Sequence, residues 1–212
     1  MSDNEHQEEE TQLLLNVTIE PPDAVFTEVC GLDEEQIAEV ISATLERLQV
    51  DDSVEVSVLI TTDAEIRDLN REFRNIDQPT DVLSFPVQDE PLITAPADEL
   101  WQEHEDHEHH DTLMAEELPD GASSVEEDES DDVEEWVDFE DFDGLDLGDI
   151  AISHEALARQ AKEAGHSLGY ECAYLLAHGV LHLVGYDDQS EAGYKAMVAH
   201  QEAILNELGI TK

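Results

Sequence analysis

The chain has 212 residues, enough for one domain of ordinary size. It carries 56 Asp or Glu against 8 Lys or Arg, for a formal charge of −48, which repels polyanions and lacks the basic footprint usual for nucleic-acid binding. Two cysteines, Cys30 and Cys172, exclude a disulfide framework, and no apolar run reaches membrane-spanning length.

Residues 1–11 are acidic and polar, the opposite of a secretory signal, and read as a disordered leader. With the reducing compartment that the cysteines suggest, this points to a cytoplasmic protein. QLLLNVTIE then puts Leu13, Leu15, Val17 and Ile19 on one face, the period of a strand. Pro21 and Pro22 end it. Asp33 is placed to cap a helix carrying Ile37, Val40, Ile41, Leu45 and Leu48. VEVSVLI, 54–60, alternates as a second strand. Thr62 and Glu65 have capping-box spacing and open a helix with Ile66, Leu69 and Phe73 as its apolar stripe. TDVLSFP, 80–86, is a third strand, and Pro86 marks a strand end or a sheet edge.

The composition changes at residue 89. From 89 to 146 there are 25 Asp or Glu and no Lys or Arg, and apolar residues show no period. This reads as an acidic low-complexity insertion that loops out of the fold. Its tract HEDHEHHD, 104–111, offers weak Zn²⁺ or Ni²⁺ ligands but fits a solvated loop better. Order resumes with LGDIAIS, 147–153, a fourth strand. Ser153 caps a helix that Gly165 stops. The next helix, about 169–184, is apolar nearly all round and therefore central. Ser190 caps the last helix, whose Tyr194, Met197, Val198, Leu205 and Leu208 are expected to face inward. The expected fold is α+β: a small four-stranded mixed sheet with about five helices, the central one bearing histidines. Residues 12–88 and 147–212 form its single domain.

The stretch HGVLHLVGYDD, 178–188, carries the clearest chemistry. His178 and His182 lie one helical turn apart on one face. Gly185 ends the helix and lets the chain reverse, which brings Asp188 back toward the imidazoles. Two neutral nitrogens and a carboxylate suit a divalent metal with one coordination position open. Two buried histidines satisfied by hydrogen bonds are the alternative. The peptidase signature H-E-x-x-H needs a Glu at the second position as base. Gly179 stands there, removes the base and is expected to open space beside the metal. Arg74, between a helix end and a strand, suits a bidentate phosphate contact or an ordinary surface ion pair. Asp81 and Ser84 are polar positions on the following strand. His154, His166 and His200 are isolated on helix or loop positions, where surface roles or support of a ligand are the default.

Together, HGVLHLVGYDD, LNREFRNIDQPTDVLSFP and LGDIAIS resemble the three characteristic blocks of the YbeY family of bacterial endoribonucleases, also called ribosomal RNA maturation factors. The likeness covers about residues 12–88 and 147–208. It implies a metal-dependent endoribonuclease that cleaves single-stranded RNA, processes the 3′ end of small-subunit ribosomal RNA and serves ribosome quality control. It implies a Zn²⁺ held by His178, His182 and the residue at 188, and Arg74 on an RNA phosphate. The family pattern has His where this chain has Asp188. A carboxylate is a competent zinc ligand, and makes the site more tolerant of Mn²⁺ or Mg²⁺. Asp187 is adjacent and available as a substitute.

Three functions follow from these readings. In the first, the catalytic residues Arg74, His178 and His182 serve RNA hydrolysis. In the second, the protein is a non-catalytic assembly factor whose metal is structural and whose acidic surface binds basic ribosomal proteins or a GTPase. The third is a metallohydrolase of a small molecule. A closed coordination shell favours the second, an open one the first.

Overall fold

A computed structural model of the chain describes residues 12–20, 25–101 and 144–212. The expected leader 1–11, the HEDHEHHD tract and the rest of 102–143 lie outside the described residues. The described residues form one unit. In chain order its elements are β1 (Leu13–Ile19), α1 (Phe26–Val29), α2 (Glu34–Leu48), β2 (Val54–Thr61), α3 (Asp63–Arg74), β3 (Val82–Pro86), β4 (Leu145–Ser153), α4 (His154–Ala164), α5 (Leu168–Leu183) and α6 (Glu191–Glu207). This is the expected α+β architecture, with the single-turn α1 added. Among the described residues no helix is long and apolar enough to cross a membrane.

Local signals set most boundaries. Asp33 accepts from Gln36 N while the Gln36 side chain accepts from Asp33 N, closing the N-terminus of α2. Thr62 and Glu65 do the same for α3. Ser153, Ser167 and Ser190 each accept a backbone N–H at the start of α4, α5 and α6. Gly165, in the left-handed conformation, ends α4.

The sheet order is β1-β2-β4-β3. β1, β2 and β4 run parallel, and β3 is antiparallel to β4 at one edge. Pro86 lies at the end of that edge strand, where its missing N–H costs no ladder bond. Alternation assigns the faces. Val56, Val58, Ile60, Ile150 and Ile152 join the main core with α2, α5 and α6. Leu83 and Ala151 join Ile66 of α3 in a smaller cluster on the other face, with Leu59, Leu69 and Phe85 against it.

Two inward assignments change. Phe73 is 60% exposed: it sits in the last turn of α3, with its ring 5.1 Å from that of Phe85 on the edge strand. Tyr194 is 58% exposed because the inward stripe of α6 runs through Gly193, Met197, Gln201 and Ile204, one position out of phase with it. Residues 89–101 run against the turn after α5. Leu92 N donates to Val184 O, Trp101 N to Gly185 O and Asp187 N to Glu99 O.

Candidate metal centre

α5 is buried nearly all round, and its polar positions are therefore few and specific. His178 and His182 project from it one turn apart. Their rings stand at 87° with centroids 4.5 Å apart, and their Nε2 atoms face each other at 3.0 Å. Val184 caps the helix, and Gly185 at φ 125° turns the chain back. A side chain at 185 has no room, since a Cβ would lie 2.5 Å from Pro91 Cβ. The reversal brings Asp188 Oδ2 to 4.0 Å from His178 Nε2. One ligand atom from each of His178, His182 and Asp188 lies within 4.8 Å of the others.

The donor chemistry fits a cation. His182 Nδ1 is 2.9 Å from Tyr186 O; a carbonyl only accepts, so Nδ1 carries the proton and Nε2 presents a lone pair. The two Nε2 atoms stand at hydrogen-bonding distance, where either a proton on His178 Nε2 or a shared cation bridges them. Tetrahedral ligands at about 2.0–2.1 Å from zinc lie about 3.3 Å from each other, so the observed spacings bracket the required one. Burial pushes the His178 imidazole below its ordinary pKa, and His182 pushes it further; Asp188, Asp81 and a hydrogen bond with Gln201 oppose this. A neutral imidazole is the ligating form. The His178 side chain is 21% exposed and that of Asp188 42%, so the group is open to solvent on the Asp188 side. These residues fit a divalent metal.

Other groups orient the site. Arg47 Nε donates to His200 Nδ1 at 3.2 Å, so His200 Nε2 carries the proton and donates to Tyr186 OH at 3.0 Å. Tyr186 in turn supplies the carbonyl that holds His182. His200 thus reaches the site through Tyr186. Asp81 accepts from Val82 N at 2.9 Å and from Gln160 Nε2 at 2.8 Å, with its charge felt at His178. Asp187 is turned away: its Oδ1 accepts from Gln189 N at 3.1 Å.

One expectation is altered by the geometry. Gly179 does not open space beside the metal group. A Cβ there would lie 2.8 Å from Ile150 Cδ1 and 2.9 Å from Ile150 Cγ2, so the glycine lets α5 pack directly on β4. Arg74 is not in the ligand group. It ends α3 as an exposed side chain, and Nη2 donates to Ser84 O on β3 at 3.4 Å. A hollow of about 410 Å³ lies on the α3 side of the sheet, lined by Leu59, Phe73, Phe85 and Asp149 among others, and includes none of the three ligands. Gln201 is the residue that sequence reasoning missed, as one polar position on an otherwise apolar stripe.

A family model described as Endoribonuclease YbeY matches residues 31–209. A protein of that name from Lachnoclostridium phytofermentans is 35% identical over 180 residues, covering 85% of this chain and 90% of the relative. One from a Thermoanaerobacter species is 37% identical over 177 residues, 84% of this chain and 88% of the relative. One from a Roseiflexus species is 33% identical over 205 residues, 96% of this chain and 98% of the relative. A solution structure of a Thermotoga maritima protein superimposes with a TM-score of 0.47 at 18% identity, over 92% of this chain and 91% of that one.

Proposed function

The chain belongs to the endoribonuclease YbeY family, and on that premise we propose that it is a metal-dependent endoribonuclease acting on single-stranded RNA in ribosomal RNA maturation. The observation that carries the site assignment is the convergence of His178, His182 and Asp188 beside an open face. In this reading those three hold one Zn²⁺. When bound, a divalent ion lowers the pKa of water and polarises a phosphoryl oxygen.

The chain's own residues do the rest. Tyr186 O keeps His182 in the ligating tautomer. Asp188 supplies the anionic ligand, which keeps the site tolerant of Mn²⁺ or Mg²⁺. Arg74 binds an RNA phosphate and offsets charge as the bond to the leaving oxygen lengthens. It is one of only 8 basic residues, so its local field works against a strongly anionic background. Residues 12–88 and 147–212 form the catalytic domain, with 89–101 folded along it, β4 opening two residues earlier at Leu145, and an acidic insertion between. The site of action is the cytoplasm. The exposure of Asp188 disfavours a closed structural metal, and with it the non-catalytic assembly factor.

The test is cleavage of single-stranded RNA at high salt by wild type, His182→Ala and Arg74→Ala. Wild type is expected to cleave with added Zn²⁺ or Mn²⁺ and to stop with a chelator, and both variants to be impaired. Highly purified wild type no more active than the variants under every metal defeats the nuclease reading.

A further inference from the structure

α3 covers only part of its face of the sheet. Ile66 and Leu69 pack on Leu83, Ala151 and Leu59, a row of side chains in register across β3, β4 and β2. The neighbouring row on that face is Phe85, Asp149, Ser57 and Asn16, again in register. α3 ends at Arg74, capped by Asn75 in the left-handed conformation, and this second row stays open. It lines the hollow of about 410 Å³ together with Phe73. Strands of a parallel sheet covered on both faces are apolar throughout, yet β2 and β4 carry Ser57 and Asp149 here. Most of the Phe73 side chain is exposed, and its ring meets that of Phe85 at 64°. Aromatic rings beside a few convergent polar groups make a ligand surface rather than a core.

Arg74 connects this hollow with the metal group. Ser153 N donates to Asp81 O and Val87 N to Leu147 O, so the odd-numbered residues of β3 carry its ladder bonds. Ser84 O therefore points out of the open edge, where Arg74 Nη2 reaches it. On the opposite face Ser84 pairs with Ile150, and Gly179 packs on Ile150 beside His178. A strand held at the metal group passes Arg74 as it rounds this edge and then meets the hollow. Charge agrees with that path, since Arg67, Arg71 and Arg74, three of the 8 basic residues, all stand on α3. We propose that the hollow is a nucleobase subsite, in which an unpaired RNA base stacks on Phe73 beside Phe85 and Asp149 accepts hydrogen bonds from its edge. This rests on the RNA-cleaving function proposed above. The stack is indifferent to sequence, and the carboxylate supplies the selection. Ionised Asp149 offers acceptors only. Guanine alone among the RNA bases presents two adjacent N–H donors, N1–H and N2–H, on its pairing edge, and it is the preferred occupant.

The experiment uses the full chain as wild type, Phe73→Ala, Phe73→Trp and Asp149→Asn. The probes are short, fluorescein-labelled, uracil-rich single strands with guanine, adenine or cytosine at regular positions. Anisotropy is read at high salt with a chelator present, so binding is measured without cleavage. Wild type is expected to bind the guanine strand most tightly. Phe73→Ala is expected to bind every strand about 5- to 150-fold more weakly, the effect of one lost stack. Phe73→Trp keeps a stacking ring and is expected to bind at least as well as wild type. Asp149→Asn removes a repelling charge, so its readout is the ratio between strands: the guanine preference is expected to vanish. Folded Phe73→Ala that binds like wild type, or Phe73→Trp as weak as Phe73→Ala, overturns the proposal. So does an intact guanine preference in Asp149→Asn, which decides the matter if Phe73→Ala fails to fold. A wild-type dimer in sedimentation that Phe73→Ala dissolves overturns it too, the hollow then being an interface between copies. Wild type that binds and cleaves RNA while the variants match it loses the subsite and keeps the nuclease reading; wild type that binds no strand loses both.

Discussion

His178 Nε2 and His182 Nε2 oppose each other at 3.0 Å, while His182 Nδ1 is committed to Tyr186 O. His182 Nε2 is therefore an acceptor, open to a proton on His178 Nε2 or to a cation. Removing either imidazole should therefore abolish metal retention. His182→Ala is expected to keep the fold by circular dichroism and to lose Zn²⁺ on dialysis. Retention of one zinc per chain would show that the metal sits elsewhere.

Asp188 is the exposed third donor, 4.0 Å from His178 Nε2. Asp188→Ala is expected to weaken Zn²⁺ binding by tenfold or more. Asp188→His, which restores the residue of the family pattern, is expected to shift preference toward Zn²⁺ over Mn²⁺, since imidazole suits zinc and carboxylate suits harder ions. Paired titrations with the two metals check this. An undiminished Zn²⁺ affinity in the Ala variant removes Asp188 from the site.

Gly179 packs α5 onto Ile150. Alanine there gains about 1 kcal/mol of helix propensity but forces overpacking that costs about 1–3 kcal/mol, so net destabilisation is expected. Ile150→Val alone costs about 0.5–1.5 kcal/mol by shortening a buried side chain. Combined, the two should be somewhat less harmful than their sum, because the valine removes Cδ1, the nearest of the three Ile150 atoms the new methyl meets, while both Cγ atoms stay. Urea unfolding of the two single variants and the double variant measures the coupling; strict additivity would dismiss the Cδ1 contact as part of the reason for the glycine.

The contrast between Gly179 and Gly165 shows what the sequence makes legible. Gly165 follows an apolar period and acts on its own helix, so its role as a stop was readable from neighbours in sequence. The same holds for the caps at Asp33, Thr62, Ser153 and Ser190, for Pro86 at the sheet edge, and for the i, i+4 histidines. Gly179 answers to Ile150 on a strand far away in the chain, and no local pattern announces that. The bond of buried Gln201 is hidden for the same reason: its partner Tyr174 belongs to another helix. Tyr194 was misjudged because an aromatic residue one position off the stripe still satisfies a loose helical period. The placement of β4 between β2 and β3, parallel to the first and antiparallel to the second, is likewise a long-range choice that alternation alone leaves open.

Asp63 ties α3 to α4. It accepts from Ser153 Oγ at 2.6 Å and from Arg159 Nη1 at 2.7 Å and Nη2 at 3.2 Å. The Arg159 hydrogen bond, aided by that from Ser153, holds its carboxyl below the usual aspartate range. A depressed folded pKa contributes stability above the unfolded value, about 3.9, and loses it as pH falls through the folded value. Asp63→Asn should therefore be less stable than wild type at pH 6–7. The gap should narrow only below about pH 4. Urea midpoints at pH 7, 5 and 3 test this, and a gap that stays constant across the series counts against the ion pair.

Arg74 and the net charge of −48 act in opposite directions on RNA. Salt at 0.1 M screens beyond about 10 Å and at 1 M beyond about 3 Å. Long-range repulsion of the strand is thus removed first, while a direct guanidinium–phosphate contact survives longer. RNA binding is expected to hold steady or strengthen as KCl rises from 0.1 to 1 M, against the usual steep weakening. The same screening relieves self-repulsion, so the urea midpoint should rise over that range. Arg74→Ala should weaken binding to all single-stranded sequences alike, because a phosphate contact carries no base information. Fluorescence anisotropy of labelled RNA across the KCl series distinguishes the terms. Binding that weakens steeply with salt, with the urea midpoint unchanged, would show that the acidic background plays no part in either affinity or stability.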